Sequence, residues 1–239
     1  MPGSEAWPGA QRRDPPASSA TWVVRAALAQ WLREEANRLR SAGLRARILD
    51  VGCGPKPYYP FFAERASEYV GVDVDAHEGA ELIGRVEELP VGDGEFDLVL
   101  CTQVLEHCDD PVQAVRELRR VTAPGGRVLA STHGVQWYHP SPVDYWRWTH
   151  EGLRRLFTTN AGWSTLTVEA SGGTAACLAM LVGAYTELGL GRVGLRRLAR
   201  GPVWLLNSGA RALDKNPLLG EVRPGSLTAN FHVVATVGS

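Results

Sequence analysis

Apolar and polar positions repeat along this chain at two periods, and the switches between them outline its elements. Residues 21–43 (TWVVRAALAQWLREEANRLRSAG) repeat at helical spacing. Trp22, Val23, Ala26, Ala27, Gln30, Trp31 and Glu34 mark a mostly apolar face, Thr21 is placed to cap the start and Gly43 to end the helix. The short apolar run RILDVG (47–52) then reads as a buried strand, YYPFFAERAS as a short helix and YVGVDV (69–74) as a second strand. AELIGRV (80–86) is a weaker third strand and EFDLVLCTQ (95–103) a strong fourth. In DDPVQAVRELRRV, Asp110 stands as N-cap and Pro111 at the first helical position, with Val112, Val115, Leu118 and Val121 on one face. TAPGG breaks the chain before RVLAST (127–132), a fifth strand. Strands alternating with helices at this spacing predict a parallel sheet with helices on both faces.

Beyond residue 132 the rhythm changes. GVQWYHPSPVDYWRWTH (134–150) is a polar-aromatic loop, and Thr149 is placed to cap a helix through Phe157. WSTLTVEA and TANFHVVATVG are two late strands. The apolar, arginine-dotted stretch 174–226 between them predicts two or three helices, with WLLNSGARALDK an amphipathic one packed on the sheet.

Composition narrows the class. The chain has 239 residues, 44% hydrophobic and 21% charged, enough to bury a sizeable core. A formal net charge of -1 offers no electrostatic argument for nucleic acid. The four cysteines form no CxxC pair, so no metal site is expected, and they suit a reducing cytoplasm. Residues 1–20, rich in Pro, Gly, Ser and Ala, read as a flexible lead-in without the apolar core of a secretory signal. Arginine runs more often line a solvated face, so 174–226 reads as an acceptor cap or homodimer surface rather than a membrane contact.

ARILDVGCGPKP (46–57) carries the chemistry. A glycine turn after a buried strand is where α/β folds receive nucleotides. The dinucleotide fingerprint requires a third glycine, but that position is Pro57, and the Walker pattern is absent. Asp50, just before the turn, disfavours a pyrophosphate and suits a ligand with a cationic group. Asp73, ending the next strand, is placed to accept both hydroxyls of a ribose. A ribose and a cation without phosphate describe S-adenosylmethionine.

ILDVGCG, YVGVDV, EELPVGDGEFDLVLCTQVLEHCDDPVQAVRELRRVTAPGG and RVLAST stand in order across residues 46–133. With these blocks the chain resembles the class I S-adenosylmethionine-dependent methyltransferases of the small-molecule and glycan-methylating type. The resemblance implies a Rossmann-like, doubly wound seven-stranded sheet, mostly parallel with one antiparallel strand, and a helical insertion before the last strand. Residues 21–239 would form the methyltransferase domain, 134–150 a lid loop and 174–226 the insertion. The cofactor would be S-adenosyl-L-methionine, leaving as S-adenosyl-L-homocysteine. Asp50 would orient groups near the methionine amine, and Gly52, Cys53 and Gly54 would let the main chain close on the cofactor. Asp73 would hold the ribose, Val74 would pack on adenine, Gln103 would serve the methionine side and Leu105 would wall the pocket. Relatives often carry an acid where this chain has Arg85, which cannot accept a hydrogen bond. Glu87 or Glu88, or the backbone around Val86, is the expected substitute at the adenine edge. Lys56 likewise replaces the third family glycine.

His107 and His133 are candidate proton acceptors because they stand at strand ends that face ligands, and Asp144, in the aromatic loop, is a third. Trp137, Tyr138, His139, Tyr145, Trp146 and Arg147 are candidate acceptor contacts. The resulting expectation is methyl transfer to an oxygen, nitrogen or carbon of a small molecule. The competing readings are a catalytically silent methyltransferase-like partner protein and a nicotinamide-dinucleotide oxidoreductase.

Overall fold

The structure, a computed structural model, describes residues 7–138, 142–216 and 226–239. Five strands run parallel: β1 (Ala46–Val51), β2 (Ala66–Asp73), β3 (Leu82–Ile83), β4 (Phe96–Thr102) and β5 (Thr122–His133). β6 (Thr165–Ser171) and β7 (Asn230–Thr236) complete a seven-stranded sheet of order β3-β2-β1-β4-β5-β7-β6. β7 lies between β5 and β6 and is antiparallel to both. The seven strands and the antiparallel insertion agree with the expected fold.

Alternation along the strands divides the core into two layers. Ile48, Leu98, Leu100 and Leu129 face α2 (Trp22–Ser41) and Phe62 of the short α3 (Tyr59–Phe62). Leu49, Val99, Val128 and Val233 face α4 (Pro111–Val121) and α5 (His150–Asn160) through Val115, Leu118, Leu153 and Phe157. Central strands buried on both faces explain the unbroken apolar runs in the sequence. Asp110 caps α4 by accepting from the Val112 and Gln113 amides, both at 3.0 Å, and Thr149 caps α5 from Gly152 at 3.1 Å.

Several expectations are corrected. The buried face of α2 is Val24, Leu28, Ala29, Leu32, Glu35, Ala36 and Leu39. It is displaced from the expected face because the leucines occupy the sheet side, while Trp31 packs only at its margin and stacks on His232 at 4.3 Å. Thr21 bonds Ser19 instead of capping α2, whereas Gly43, at φ +65°, does end it. The third strand shrinks to two residues. TAPGG bulges within β5, where the pairing skips from Phe96–Thr122 to Leu98–Arg127.

The lead-in differs most. Residues 7–20 are packed, with a short helix α1 (Ala10–Arg13). Arg13 is buried and donates to the carbonyls of Pro57 at 2.6 Å, Pro8 at 2.7 Å and Trp7 at 2.8 Å, while the Trp7 indole donates to the Lys56 carbonyl. The segment is thereby tied to the glycine turn. Past β6, α6 (Thr174–Arg192) and α7 (Arg200–Asp214) form a hairpin through a 3₁₀ turn at Arg196–Ala199. α7 packs against α6, and Asp214 returns to accept from the Gly173, Ala175 and Ala176 amides at the start of α6. Residues 217–226 of the expected insertion lie outside the described residues, apart from Ser226.

Candidate functional site

A cavity of about 860 Å³ opens at the C-terminal ends of β1, β2, β4 and β5, the edge where doubly wound sheets receive ligands. β1 delivers Gly52 and Gly54 to its wall. Gly52 stands at φ +65°, and a Cβ there would lie 2.4 Å from the Val104 side chain. Gly54, at φ +48°, would meet nothing within 4 Å, so its open side belongs to the cavity. Lys56 adopts φ +50°, the conformation a glycine would take, and its ammonium is held by Glu81, which also accepts from the Gly71 amide at 2.6 Å. The ion pair holds the Lys56 side chain against β2 beside this turn.

Asp73 ends β2 at the cavity wall. Its carboxylate accepts from the amides of Gly54 and Val74, each at 2.8 Å, and approaches His77 Nε2 at 3.2 Å. Val74 and Val86 line the same end. Glu87 Oε1 accepts from the Asp109 amide at 2.7 Å, and Arg85 bridges to Asp109 at 2.5 Å and Glu87 at 3.6 Å. Thus Arg85 is neutralised by the acids around it. Cys53 donates its thiol to the Gly79 carbonyl at 3.4 Å, and burial pushes it up to about 12. Its sulfur and the Asp73 and His77 ligand atoms all lie within 4.8 Å of one another.

Asp50 does not reach the cavity. Its buried carboxyl accepts from the Tyr69 hydroxyl at 2.7 Å, and burial pushes it up to about 7. The expected repulsion of a pyrophosphate is therefore weakened, because the group is about half neutral near pH 7.

The floor comes from the ends of β4 and β5. Gln103 stands at φ +58°, a strained conformation for a side-chain-bearing residue, and its amide donates to Ser131 at 2.9 Å and Asn230 at 3.0 Å. These bonds fix the turn that leads the chain into Glu106 and His107. Glu106 is fully buried; its Oε2 accepts from the Thr132 hydroxyl at 2.8 Å and its Oε1 lies 3.3 Å from His133 Nε2. Burial pushes Glu106 up to about 7. His107 Nδ1 faces the Val143 carbonyl at 2.9 Å; since a carbonyl only accepts, that nitrogen carries the proton. Glu106, His107 and His133 all line the cavity.

The aromatic loop is fastened to this floor. Tyr145 and Trp146 amides donate to the Glu106 carbonyl at 2.7 and 3.2 Å, and the Trp148 amide to the His133 carbonyl at 3.0 Å. Trp137 and Tyr145 line the cavity. Trp146 instead stacks on Trp148 and donates its indole to the Cys108 carbonyl at 2.8 Å. Asp144 pairs with Arg147 at 2.5 Å, and Arg147 also donates to the Trp137 carbonyl, so this pair braces the loop instead of entering the cavity. Tyr138 is exposed, Leu105 is buried behind the wall, and His139 lies outside the described residues.

The structure adds Arg12, Arg25, Tyr58, Glu106 and Met180 to the lining. They come from α1, α2, the glycine turn, the end of β4 and α6, elements distant in sequence; Glu106 lies within a recognised block and Tyr58 directly follows the glycine turn, whereas Arg12, Arg25 and Met180 lie outside the recognised blocks.

Residues 49–130 match the family described as "Methyltransferase domain". The chain is 40% identical over 94 residues to an uncharacterized methyltransferase of Mycobacterium sp. (strain JLS), covering 35% of this chain and 37% of that protein. It is 32% identical over 109 residues to a ubiquinone biosynthesis O-methyltransferase of Pseudomonas paraeruginosa (strain DSM 24068 / PA7), covering 38% of this chain and 46% of that protein. The match thus spans less than half the length of either relative. In fold the chain is similar to the 1,6-didemethyltoxoflavin-N1-methyltransferase of Burkholderia thailandensis, crystallised with 1,6-didemethyltoxoflavin and S-adenosylhomocysteine. That likeness has a TM-score of 0.54 at 15% identity and covers 92% of this chain and 81% of that one.

Proposed function

We propose that this chain, whose matched domain and seven-stranded sheet are those of the class I S-adenosylmethionine-dependent methyltransferases, methylates an oxygen, nitrogen or carbon of a small-molecule acceptor. One observation carries the reading: Asp73, inside the matched region, is fixed by two backbone amides at the wall of a cavity that Gly54 leaves open. Its remaining acceptor capacity suits a pair of vicinal hydroxyls. The residues present therefore fit the cofactor. Asp73 would take the ribose, Val74 and Val86 would flank the adenine, and the Gly52–Gly54 main chain would close against the methionine portion.

Bound S-adenosylmethionine would supply a methyl already activated as a sulfonium, so the protein's task is alignment and exclusion of water. Alignment alone contributes roughly 7–11 kcal/mol to such steps. His133 would take the proton from a hydroxyl or amine acceptor, and Glu106, 3.3 Å away, would orient the ring and stabilise its charged form. Glu106 near pH 7 is poised to hold or release a proton there. Trp137, Tyr145 and Met180 would wall the acceptor. The fold neighbour holding 1,6-didemethyltoxoflavin and the O-methyltransferase relative support a small-molecule acceptor.

The test is calorimetric titration with S-adenosylhomocysteine, then incubation with methyl-labelled cofactor and fractionated extract, read by mass spectrometry. Binding with label in an extract component is the expected result. No measurable cofactor binding would refute the reading, and binding without transfer to any fraction would favour a silent partner protein.

A further inference from the structure

Most exposed large apolar side chains among the described residues fall on the α6–α7 hairpin. Leu178, Val182 and Tyr185 form a stripe along the outer face of α6 at spacings of four and three. The stripe runs into a tip, residues 191–198, in which every residue is exposed. Val193, Leu195 and Leu198 alternate there with Arg192, Arg196 and Arg197, and Arg200, Trp204 and Leu205 continue the surface onto α7. We propose that this hairpin tip docks the protein on an anionic lipid bilayer.

Charge selects that occupant. Between residues 174 and 216 the only acids are Glu187 and Asp214. Both are engaged: Glu187 accepts from the Ala20 amide at 2.8 Å and faces Arg196 at 3.6 Å, while Asp214 caps α6. The surface is therefore apolar with a cationic excess, the composition that inserts at the level of lipid headgroups. A second copy of the chain fits less well, because an isologous contact would bring two cationic patches together with no unengaged acid in either to offset them.

The contact is a surface one. α6 has 19 residues and is apolar enough to cross a membrane by length and composition. Its inner face, however, is packed in the protein: Cys177 and Met180 bury against Val24 and Ala229, and Gly183 lies against Ala20. Met180 also lines the cavity, so the element that docks carries part of the cavity wall.

The test is co-sedimentation of the full chain with phosphatidylcholine vesicles, with and without phosphatidylglycerol, at low and high salt. Binding is expected only with the anionic lipid and should weaken at high salt. One arginine near an anionic leaflet contributes about fivefold in partitioning, so Arg196→Gln/Arg197→Gln should lose roughly 25-fold. Leu195→Asp/Leu198→Asp should abolish sedimentation while leaving the circular dichroism spectrum and S-adenosylhomocysteine affinity unchanged. Equal sedimentation of variants and parent, or none with anionic vesicles, overturns the proposal. So does a lipid-free dimer in analytical ultracentrifugation that Leu195→Asp/Leu198→Asp dissociates, which would assign the face to a second copy. Since neither substitution touches the cavity, failure here is distinguishable from failure of the methyltransferase reading.

Discussion

Truncating Asp73 to alanine removes the group on which the cofactor assignment stands. Its carboxylate accepts two backbone amides at 2.8 Å and would accept two ribose hydroxyls. A hydrogen bond to a charged group contributes about 1.5–3 kcal/mol. Losing two at the low end costs ~3 kcal/mol, or roughly 150-fold in Kd. The Gly54 and Val74 amides sit at the cavity edge where water replaces the carboxylate, so folding stability should fall by only ~1 kcal/mol. Asp73→Asn separates charge from shape: its NH2 would face one of the two donor amides, so an intermediate loss of about 10- to 30-fold is expected. Isothermal titration with S-adenosylhomocysteine gives the affinities, and thermal melting shows that each variant folds. A folded Asp73→Ala protein whose Kd lies within threefold of the parent would refute the placement of the ribose.

Asp50 and Glu106 both titrate near 7 when folded, above their ordinary values. Folding therefore favours their protonated forms, and that stabilisation, on the order of 3 kcal/mol each, is complete below about pH 4 and lost as pH rises through 7. Urea midpoints for Asp50→Asn/Glu106→Gln should not show this decline between pH 5 and 8. His232 acts oppositely: burial lowers it to about 4, so its contribution is present above 6.5 and lost as pH falls toward 4, a loss His232→Phe should remove. Gly52→Ala should destabilise the fold by about 2 kcal/mol or more, since the new methyl meets Val104, and Gly54→Ala by only ~1 kcal/mol. Cofactor affinity should nonetheless fall in both, as Gly54 opens into the cavity; an unaffected Gly54→Ala Kd would place the ligand elsewhere. Arg13→Ala should release residues 7–20, seen as new proteolytic cleavage there and a stability loss of about 2–4 kcal/mol.

Local rules carried the sequence reading as far as they apply. Asp110 and Pro111 marked α4 because capping is decided within four residues, and β1 and β4 were visible because burial on both faces leaves continuous apolar runs. The face of α2 was misjudged because several apolar positions compete around that helix, and only the sheet decides which of them is covered. Residues 7–20 read as a flexible tail because their tether, Arg13 on the Pro57 carbonyl, spans 44 positions and leaves no local pattern. The glycine turn and Asp73 were legible as a motif. The Glu106–His133 contact was not, because it joins the ends of two separate strands. Asp144 carried the right chemistry for a proton acceptor, but its partner Arg147 three residues on was the better guide.

The placement of β7 has a consequence for biogenesis. β6 is bonded to the sheet through β7 alone, and β7 joins it to β5. During synthesis, β6 has no strand to pair with until residues 230–236 emerge, while α6 can already pack on Ala20 and Val24, so its outer apolar face is presented before the sheet is complete. The order of events in the nascent chain thus brings the lipid-seeking hairpin out first and its anchoring strand last.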